Sequence, residues 1–308
     1  MNFVKTTLLL ATLTGILVAI GGLIGGVGGA ALFLVLAAVM NFVAYWFSDK
    51  MALRMAGARQ ISEEDDPKLF AMVREIANLA KLPMPKVYQI QNDSPNAFAT
   101  GRDPKHAVVA VTTGIQRLLT ERELRGVLGH EMAHVKNRDI LWSSIAATLA
   151  GGVQMIAQVL MFSSLFGRRD ENQNPIVFLV AILIAPLAAA MIQMGISRTR
   201  EYGADDTGSD IVGDPEALAS ALEKLKQGVA MRPMADTPQQ EAVSALYIVK
   251  PFAGGGMSKL FSTHPPLDDR IARLRAKAAS NHSSPTRRAS APDETDASYP
   301  RRPKGASW

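Results

Sequence analysis

The 308-residue sequence contains no cysteine. That absence excludes disulfide bonds, a thiolate nucleophile and every zinc or iron–sulfur site built on cysteine. Charged residues are also scarce, at 20% of the chain, whereas hydrophobic residues reach 48%. This composition is not that of a disordered chain, which combines high charge with few large apolar residues. Any metal site must therefore use His, Asp or Glu as ligands.

Long stretches of the chain carry no charge at all. The uncharged runs are 43 residues at 6–48, 28 residues at 140–167 and 22 residues at 176–197. A helix that crosses the hydrocarbon core of a bilayer needs roughly 20 apolar residues. The distribution excludes an ordinary cytosolic enzyme and predicts an α-helical integral membrane protein with four hydrophobic segments in two hairpins.

Glycines divide the first run, since they occupy six of the nine positions at 21–29, and glycine is unfavourable inside a helix. We expect two spans, near residues 6–23 and 28–47, joined by a short turn. The alternative is a cleaved signal peptide, because Lys5 precedes an apolar stretch that small residues follow. The apolar run continues through Phe47, which favours two spans.

The basic residues that flank the four segments predict the orientation in the membrane. Arg168 and Arg169 lie on one side, beside two acids, and the remaining flanking cations lie on the other: Lys5, Lys50, Arg54, Arg59, Lys136, Arg138, Arg198 and Arg200. By the positive-inside rule, both termini and the region 49–139 are cytoplasmic. The same placement accounts for the net charge of +5 without a nucleic-acid partner. Glycines and a proline in the second hairpin leave open whether it spans the bilayer or packs against protein.

The chain divides into five parts on this basis: a transmembrane hairpin at 1–48, a cytoplasmic α+β region at 49–139, a second hydrophobic hairpin at 140–197, a second cytoplasmic region at 198–279 and a disordered tail at 280–308. Within these parts, Asp66-Pro67 begins a helix, 87–90 and 107–112 are strands joined by a loop around Pro95 and Gly101, and Thr120 with Glu123 forms a capping box for a helix through about Arg138. Three further helices are expected: one that ends at Gly213, one that begins at Asp214-Pro215 and one that covers 266–279.

The helix that follows Thr120 carries His130-Glu131-Met132-Ala133-His134. Residues four apart lie on one face of a helix, so both imidazoles can bind a single cation, and Glu131 can act beside them as a general base. Two nitrogen ligands at this spacing suit tetrahedral Zn²⁺ with an open position. The alternative is a solvated helix face that carries two histidines by chance.

A third protein ligand is not supplied nearby, because position 140 is Ile where a third histidine of the longer motif would lie. Glu171 falls in the external loop. Glu201 follows the last hydrophobic segment and returns to the compartment of His134, and Asp205 lies one turn further on the same face, placed to accept a hydrogen bond from a ligand imidazole. The alternative interpretation is ordinary juxtamembrane charge.

Four hydrophobic segments, the His130/His134 motif, and Glu201 with Asp205 inside Ser-Arg-Thr-Arg-Glu-Tyr-Gly-Ala-Asp resemble the HtpX membrane zinc proteases, which are related to the CaaX prenyl proteases. The resemblance covers about residues 1–279. It implies a zincin-like catalytic domain, one Zn²⁺ per subunit at His130, His134 and Glu201, and Glu131 as the general base. It further implies a stress-response endopeptidase of the bacterial inner membrane that cleaves misfolded or damaged membrane proteins at the cytoplasmic face, with other quality-control proteases as candidate partners.

Two weaker motifs belong to the same resemblance. Asn96-Ala97-Phe98-Ala99 is expected to line the cleft and hold an extended substrate against the strand at 108–112, or else to be a polar turn with one core Phe. His264 is a candidate donor to the oxyanion, or else a cap or surface residue. Arg270 is a candidate residue beside the metal ligands or the transition state, or else it pairs with an acid on another helix, such as Glu223.

Two rival functions remain open at this point. One is a protease that trims prenylated C-terminal peptides, although that family usually has more spans. The other is a membrane scaffold that keeps zinc for structure, for which Glu131 would be unnecessary.

Overall fold

The computed structural model describes residues 2–149, 198–252 and 265–283. Its helices are α1 (Asn2–Met55), α2 (Pro67–Ala80), α3 (Thr113–Leu118), α4 (Glu121–Lys136), α5 (Ile140–Leu149), α6 (Arg198–Val212), α7 (Pro215–Met231), α8 (Pro238–Val243) and α9 (Leu267–Ser283). Its strands are β1 (Ala58–Gln60), β2 (Lys86–Ile90), β3 (Ala97–Thr100) and β4 (Val108–Thr112).

Helix α1 is two arms that meet at a sharp bend. Gly25 and Gly26 leave the helical conformation, and Gly26 has a φ of 59°, which favours glycine. The arms run side by side, since the Asn41 side-chain amide donates to Thr14 Oγ1 at 2.9 Å. The expected break in the first apolar run is confirmed, while the second arm extends to Met55, beyond the expected boundary at residue 48.

Among the described residues, Gly25–Met55 is one helix long and apolar enough to cross a membrane, with a mean hydropathy of 2.2 and 11% of its apolar window buried. The first ten residues of the expected second hairpin form α5. The rest of that hairpin, with Glu171 and the external loop, lies outside the described residues. The expected tail is described as far as Ser283, and residues 280–283 belong to α9 rather than to the tail.

The four strands form one sheet in the order β1-β2-β4-β3. β2 pairs in parallel with β4, and β3 pairs antiparallel with the other edge of β4, with Ala99 opposite Val109. The sequence analysis was therefore wrong in treating 96–99 as part of a loop. It was also wrong in expecting a substrate to pair with β4, because both edges of β4 are already occupied and β3 is the edge strand.

Helices pack against both faces of the sheet. The last turns of α1 cover one face, where Leu53 and Phe98 are buried in the same cluster. Val109 and Val111 face α2 and α4 on the other side, in the main core. Because successive strand residues point to opposite faces, a strand buried on both sides is a nearly continuous apolar run, as 108–111 of β4 are.

The predicted caps position the helices of this core. Asp66 caps α2, Asp214 caps α7, and Thr120 with Glu123 forms the capping box of α4. Gly213, with a φ of 76°, ends α6 as expected. These local signals set where α2, α4 and α7 begin and where α6 ends.

Candidate metal centre

Helix α4 presents two imidazoles and one carboxyl group to the same buried space. The rings of His130 and His134 lie edge to face with their centroids 4.8 Å apart. His130 and Glu131 are each 1% exposed. One helical turn separates the histidines, so their ring nitrogens converge as the motif predicts.

Glu201 on α6 completes a set of three donors. Its Oε2 lies 3.7 Å from His130 Nε2 and its Oε1 lies 3.5 Å from His134 Nε2. One ligand atom from each of the three residues falls within 4.8 Å of the others. Donors bound tetrahedrally at about 2.0–2.1 Å are about 3.4 Å apart, so two nitrogens and a carboxylate at these distances fit a metal of zinc size.

Glycines let α6 approach α4 closely enough for this contact. A Cβ at Gly208 would lie 2.7 Å from the backbone N and Cα of His130, and a Cβ at Gly129 would lie 3.0 Å from the Gly208 carbonyl oxygen. Glu201, Asp205 and Gly208 share one face of α6 at helical spacing. The bare backbone at Gly208 therefore brings both acids to the histidines.

Asp205 holds His130 from behind. Its Oδ1 lies 2.9 Å from His130 Nδ1, which donates to it and leaves Nε2 for a metal. Arg270 on α9 clamps the same carboxylate, donating from Nε to Oδ2 at 2.8 Å and from Nη2 to Oδ1 at 2.7 Å. Burial raises the pKa of the Asp205 carboxyl, but Arg270 and His130 outweigh it, so the pKa is lowered and Asp205 is ionised.

His134 has a partner that the sequence analysis missed. Its Nδ1 lies 3.4 Å from Oδ2 of Asp139, whose side chain is 6% exposed. Asp139 follows the end of α4, where Arg138 takes a φ of 59° and turns the chain back. Burial lowers the pKa of His134, but the carboxylates of Asp139 and Glu201 outweigh it and raise that pKa.

Glu131 lies beside the donors in a different environment. Burial raises the pKa of its carboxyl to about 7. The backbone N–H of Ala99 on β3 donates to it and, like the charge of His134, works in the opposite direction. Glu131, His134 and Ala99 line a cavity of about 20 Å³, which has room for about one water molecule.

The motif at 96–99 does not act as one unit. Ala99 lines the cavity, whereas Phe98 is fully buried in the core against Tyr247. The side chain of Asn96 is also buried and donates to the Val249 carbonyl at 2.7 Å. The expectation that the whole motif lines the cleft is therefore wrong for Asn96 and Phe98, which anchor the segment at 245–249.

The other two expected residues have different outcomes. Arg270 pairs with Asp205, while Glu223 pairs with Arg275, so the alternative partner for Arg270 is wrong. His264 lies outside the described residues. Arg200, next to Glu201, also lines the cavity and was not predicted as a site residue. Its position one residue before the expected ligand is the signal that could have identified it.

The comparison with protein-family models matches residues 63–278 to peptidase family M48. The chain belongs to this family. Among curated relatives, the protease HtpX homologues of Paraburkholderia phytofirmans and Burkholderia multivorans are 52% and 53% identical over 276 residues, which is 89% of this chain and 96% of each relative. The crystal structure of S. mikatae Ste24p matches with a TM-score of 0.45 and 20% identity, over 78% of this chain and 57% of that one.

Membership of M48 and the likeness to HtpX proteases establish the class of activity. The protein is a metalloprotease, hence a hydrolase, and its relatives and apolar helix make it a membrane protein. The cluster of His130, His134 and Glu201 is a candidate site for the metal that such an enzyme uses.

Proposed function

We propose that this M48 protein is a zinc-dependent endopeptidase that cleaves misfolded or damaged membrane proteins at the cytoplasmic face of the bacterial inner membrane. The observation that carries the proposal is the convergence of His130, His134 and Glu201 within 4.8 Å of one another, beside the buried Glu131. Two imidazoles and a carboxylate are the ligand set of those zinc endopeptidases with an H-E-x-x-H motif whose third ligand is a glutamate, as in thermolysin.

In the proposed centre, His130 and His134 bind through Nε2 and Glu201 binds through its carboxylate. Zinc held by this set supplies a Lewis acid that polarises the scissile carbonyl and makes water more acidic. Asp205 and Asp139 orient the two imidazoles through Nδ1. Each carboxylate stabilises the N–H that faces it and therefore fixes the tautomer that keeps Nε2 unprotonated.

Glu131 handles the proton in this proposal. Its carboxylate accepts a proton from the attacking water and returns it to the amide nitrogen that leaves. Burial raises the pKa of Glu131 to about 7 in the metal-free chain, and a divalent cation bound beside it would lower that pKa. Glu131 would then rest as the carboxylate that accepts the proton.

The outer edge of β3 is the proposed binding strand for the substrate. Ile248 already donates to the Ala97 carbonyl at 3.0 Å, so a peptide pairs with the part of β3 beyond Ala97. Ala99 lies in that part and contacts Glu131. An extended peptide placed there brings a backbone carbonyl next to the general base.

The membrane arrangement is part of the same proposal. The two arms of α1 cross the bilayer, the segment 140–197 forms a second hairpin, and both termini with the catalytic regions lie in the cytoplasm. The cations that follow the uncharged part of the second arm, Lys50, Arg54 and Arg59, support this orientation. One zinc per subunit, membrane-protein substrates and contact with other quality-control proteases complete the proposal.

The test compares detergent-purified wild type with Glu131→Gln, and both are loaded with zinc and assayed for bound zinc. Casein cleavage and self-cleavage are measured. Wild type is expected to cleave, whereas Glu131→Gln is expected to hold one zinc and cleave at least about 100-fold more slowly, since general base catalysis contributes about 10²–10⁴-fold. Cleavage by Glu131→Gln at the wild-type rate would overturn the role of Glu131.

Two further measurements separate the proposal from its rivals. Glu201→Ala that binds zinc and cleaves like wild type would show that the ligand set is wrong. Preferential cleavage of a farnesylated peptide over casein would favour the prenyl-protein protease. Retention of zinc without cleavage of any substrate would favour the scaffold.

A further inference from the structure

The exposed apolar surface of α1 ends abruptly at Phe47. Large apolar side chains are exposed from Val27 to Phe47, whereas Leu53, near the end of the same helix, is 5% exposed in the domain core. The 20 residues at 27–46 rise about 30 Å, which is the thickness of a hydrocarbon core. Tyr45 and Trp46, at the end of this stretch, are the residue types that prefer the interface between membrane and water. The boundary between the hydrocarbon core and the headgroup layer therefore lies at Trp46.

The turn between β3 and β4, residues 101–107, lies at the same level. The guanidinium carbon of Arg102 is 5.1 Å from the centre of the Trp46 ring, within cation–π range. This contact connects the catalytic domain to the membrane helix at the depth of the lipid headgroups. The β3–β4 turn is thus held at the bilayer surface.

The carboxylate of Asp103 is hydrogen-bonded to donors within the same turn. Asp103 accepts hydrogen bonds from the backbone N–H groups of Lys105 and His106, at 2.8 and 3.0 Å, and from the His106 ring. The ammonium group of Lys105 is exposed and has no ion-pair partner within the described part of the chain. The side chain of Arg102 is 31% exposed beside Trp46, with its Nε 3.7 Å from Asp103 Oδ2 and its Nη2 2.7 Å from Nε2 of His106. The turn consequently presents two cations outward.

A third cation comes from α1 itself. Lys50 lies one helical turn after Trp46 on the same face and is exposed, about 6 Å further along the axis. The headgroup layer of each leaflet is about 5–7 Å thick, so Lys50 remains inside it. Its acidic neighbour in sequence, Asp49, accepts a hydrogen bond from the Lys50 backbone N–H.

We propose that Arg102, Lys105 and Lys50 form a binding site for the phosphate of an anionic phospholipid headgroup. This inference rests on the membrane placement proposed above. The N–H groups of the Arg102 guanidinium that do not face Asp103 or His106 can donate to phosphate oxygens. Each basic residue at an anionic membrane surface contributes about a fivefold gain in binding.

The proposed headgroup site adjoins the strand that is proposed to bind the substrate. β3 runs from the turn to Ala99, whose N–H donates to Glu131. At the turn end of β3, Thr100 Oγ1 lies 2.6 Å from Ser144 Oγ on α5. A lipid phosphate bound by the turn therefore restricts the motion of the membrane end of β3. A higher content of anionic lipid in the bilayer would restrict that motion more often.

The test measures which lipid lies next to Trp46. The other tryptophans are removed as Trp142→Phe and Trp308→Phe in the full-length chain. That protein is placed in phosphatidylcholine bilayers with a small, equal fraction of brominated phosphatidylglycerol or brominated phosphatidylcholine. Quenching of Trp46 then reports the relative association of the two lipids without any use of catalysis.

Brominated phosphatidylglycerol is expected to quench Trp46 more strongly, corresponding to several-fold tighter association. Arg102→Gln with Lys105→Gln is expected to abolish most of that preference, because these two residues are two of the three cations of the site. The control, Lys68→Gln with Lys226→Gln, removes two exposed cations from α2 and α7 and is expected to keep the preference.

Equal quenching by the two lipids would overturn the headgroup site and leave the membrane placement intact. Absence of quenching by either lipid would overturn both. If Trp142→Phe disturbs folding, spin-labelled lipids added to the chain with all its tryptophans make the same comparison, and equal immobilisation of the two lipids would refute the proposal.

Discussion

The two imidazoles of the candidate centre are each held by a carboxylate, but the two carboxylates differ in what else they contact. Asp205 is bound on its far side by Arg270, which is fully buried and also donates to the Ile248 carbonyl at 3.1 Å. Asp139 lies behind His134 at the end of α4. Loss of the first acid therefore leaves the buried Arg270 with Glu201 as its remaining carboxylate partner, 3.5 Å from Nη1, whereas loss of the second removes an orienting contact.

Asp139→Asn is expected to weaken zinc binding by about 10–100-fold, because the amide no longer stabilises the tautomer of His134 that leaves Nε2 as a ligand. Asp205→Asn is expected to weaken zinc binding and also to lower the free energy of unfolding by about 1–3 kcal/mol, since the buried Arg270 loses one of its two carboxylate partners and keeps Glu201. Chelator competition measures the affinity and thermal unfolding measures the stability.

Asp206→Asn is the matched control, because Asp206 follows Asp205 in sequence but is half exposed and pairs with Arg273 at 3.7 Å. It is expected to change neither the free energy of zinc binding nor the free energy of unfolding by more than about 0.5 kcal/mol. Wild-type zinc affinity in Asp139→Asn would contradict the orienting role of Asp139.

At the scale of helices, the centre depends on how closely α6 approaches α4. Gly208→Ala places a methyl group 2.7 Å from the backbone of His130, which cannot move without displacing α4. The variant is expected to lose about 1–3 kcal/mol of stability through overpacking. It is also expected to lose about 100-fold in casein cleavage, because Glu201 shifts away from the histidines.

Gly203 on the same helix provides the opposite case. A Cβ there meets no atom within 4 Å. Gly203→Ala is expected to stabilise the protein by about 0.5–1 kcal/mol, because alanine loses less conformational freedom in a helix. Urea unfolding of both variants distinguishes the two effects, and equal behaviour of the two would show that the close approach at Gly208 is unimportant.

The start of α4 is fastened to α7 through a buried acid. Glu123 accepts hydrogen bonds from Lys224 and Ser220 as well as from Thr120. Burial raises the pKa of the Glu123 carboxyl, but these donors outweigh it and lower the pKa to about 2. Because the folded pKa lies below the ordinary value of 4.5, the stabilisation is complete above pH 4.5 and is lost as the pH falls toward 2.

Glu123→Gln is expected to destabilise the metal-free protein by about 1–3 kcal/mol at pH 7, because glutamine keeps the capping box but loses the charge. The difference from wild type is expected to shrink steadily between pH 4.5 and pH 2. Unfolding of both proteins at several pH values measures it, and other carboxylates cancel in the difference. A gap that stays constant down to pH 2 would refute the lowered pKa.

Much of this centre was predictable because its signals are local. The capping box fixes the phase of α4 and thereby the shared face of His130 and His134. Glu201 and Asp205 repeat that one-turn spacing on α6, and the predicted return of the chain to the compartment of His134 was the reason to prefer Glu201 over Glu171. The caps at Asp66 and Asp214 depend on single residues next to proline and needed no tertiary information.

The features that the sequence analysis missed depend on contacts between residues that are far apart in the sequence or on an unmarked turn. Four successive buried residues in β3 show no alternation of polar and apolar side chains, so the pattern does not distinguish a strand from a loop. The contact of Asp139 with His134 depends on the left-handed turn at Arg138, which no glycine marks. Arg270 reaches Asp205 across 65 residues of chain, and helix packing alone decides that pairing.

For the molecule as a whole, the candidate metal joins two halves of the sequence. His130 and His134 belong to the sheet-containing region, whereas Glu201 belongs to the region that follows the second hydrophobic run. A metal that binds the folded chain alone stabilises it by about 2.7 kcal/mol at a free concentration 100 times the Kd. The metal is thus expected to act on the stability of the whole catalytic domain as well as on catalysis.

Removal of zinc from the full-length protein with a chelator is expected to lower the Tm by roughly 5–10 °C, since each kcal/mol corresponds to about 2–4 °C in a domain of this size. Restored zinc is expected to return the Tm. Glu131→Gln, which leaves all three ligands in place, is expected to show the full shift, whereas Glu201→Ala is expected to show little of it. Thermal unfolding followed by circular dichroism measures all three proteins, with and without chelator. If Glu201→Ala responds to zinc as strongly as wild type does, the metal does not join α4 to α6, and its third ligand lies elsewhere in the chain.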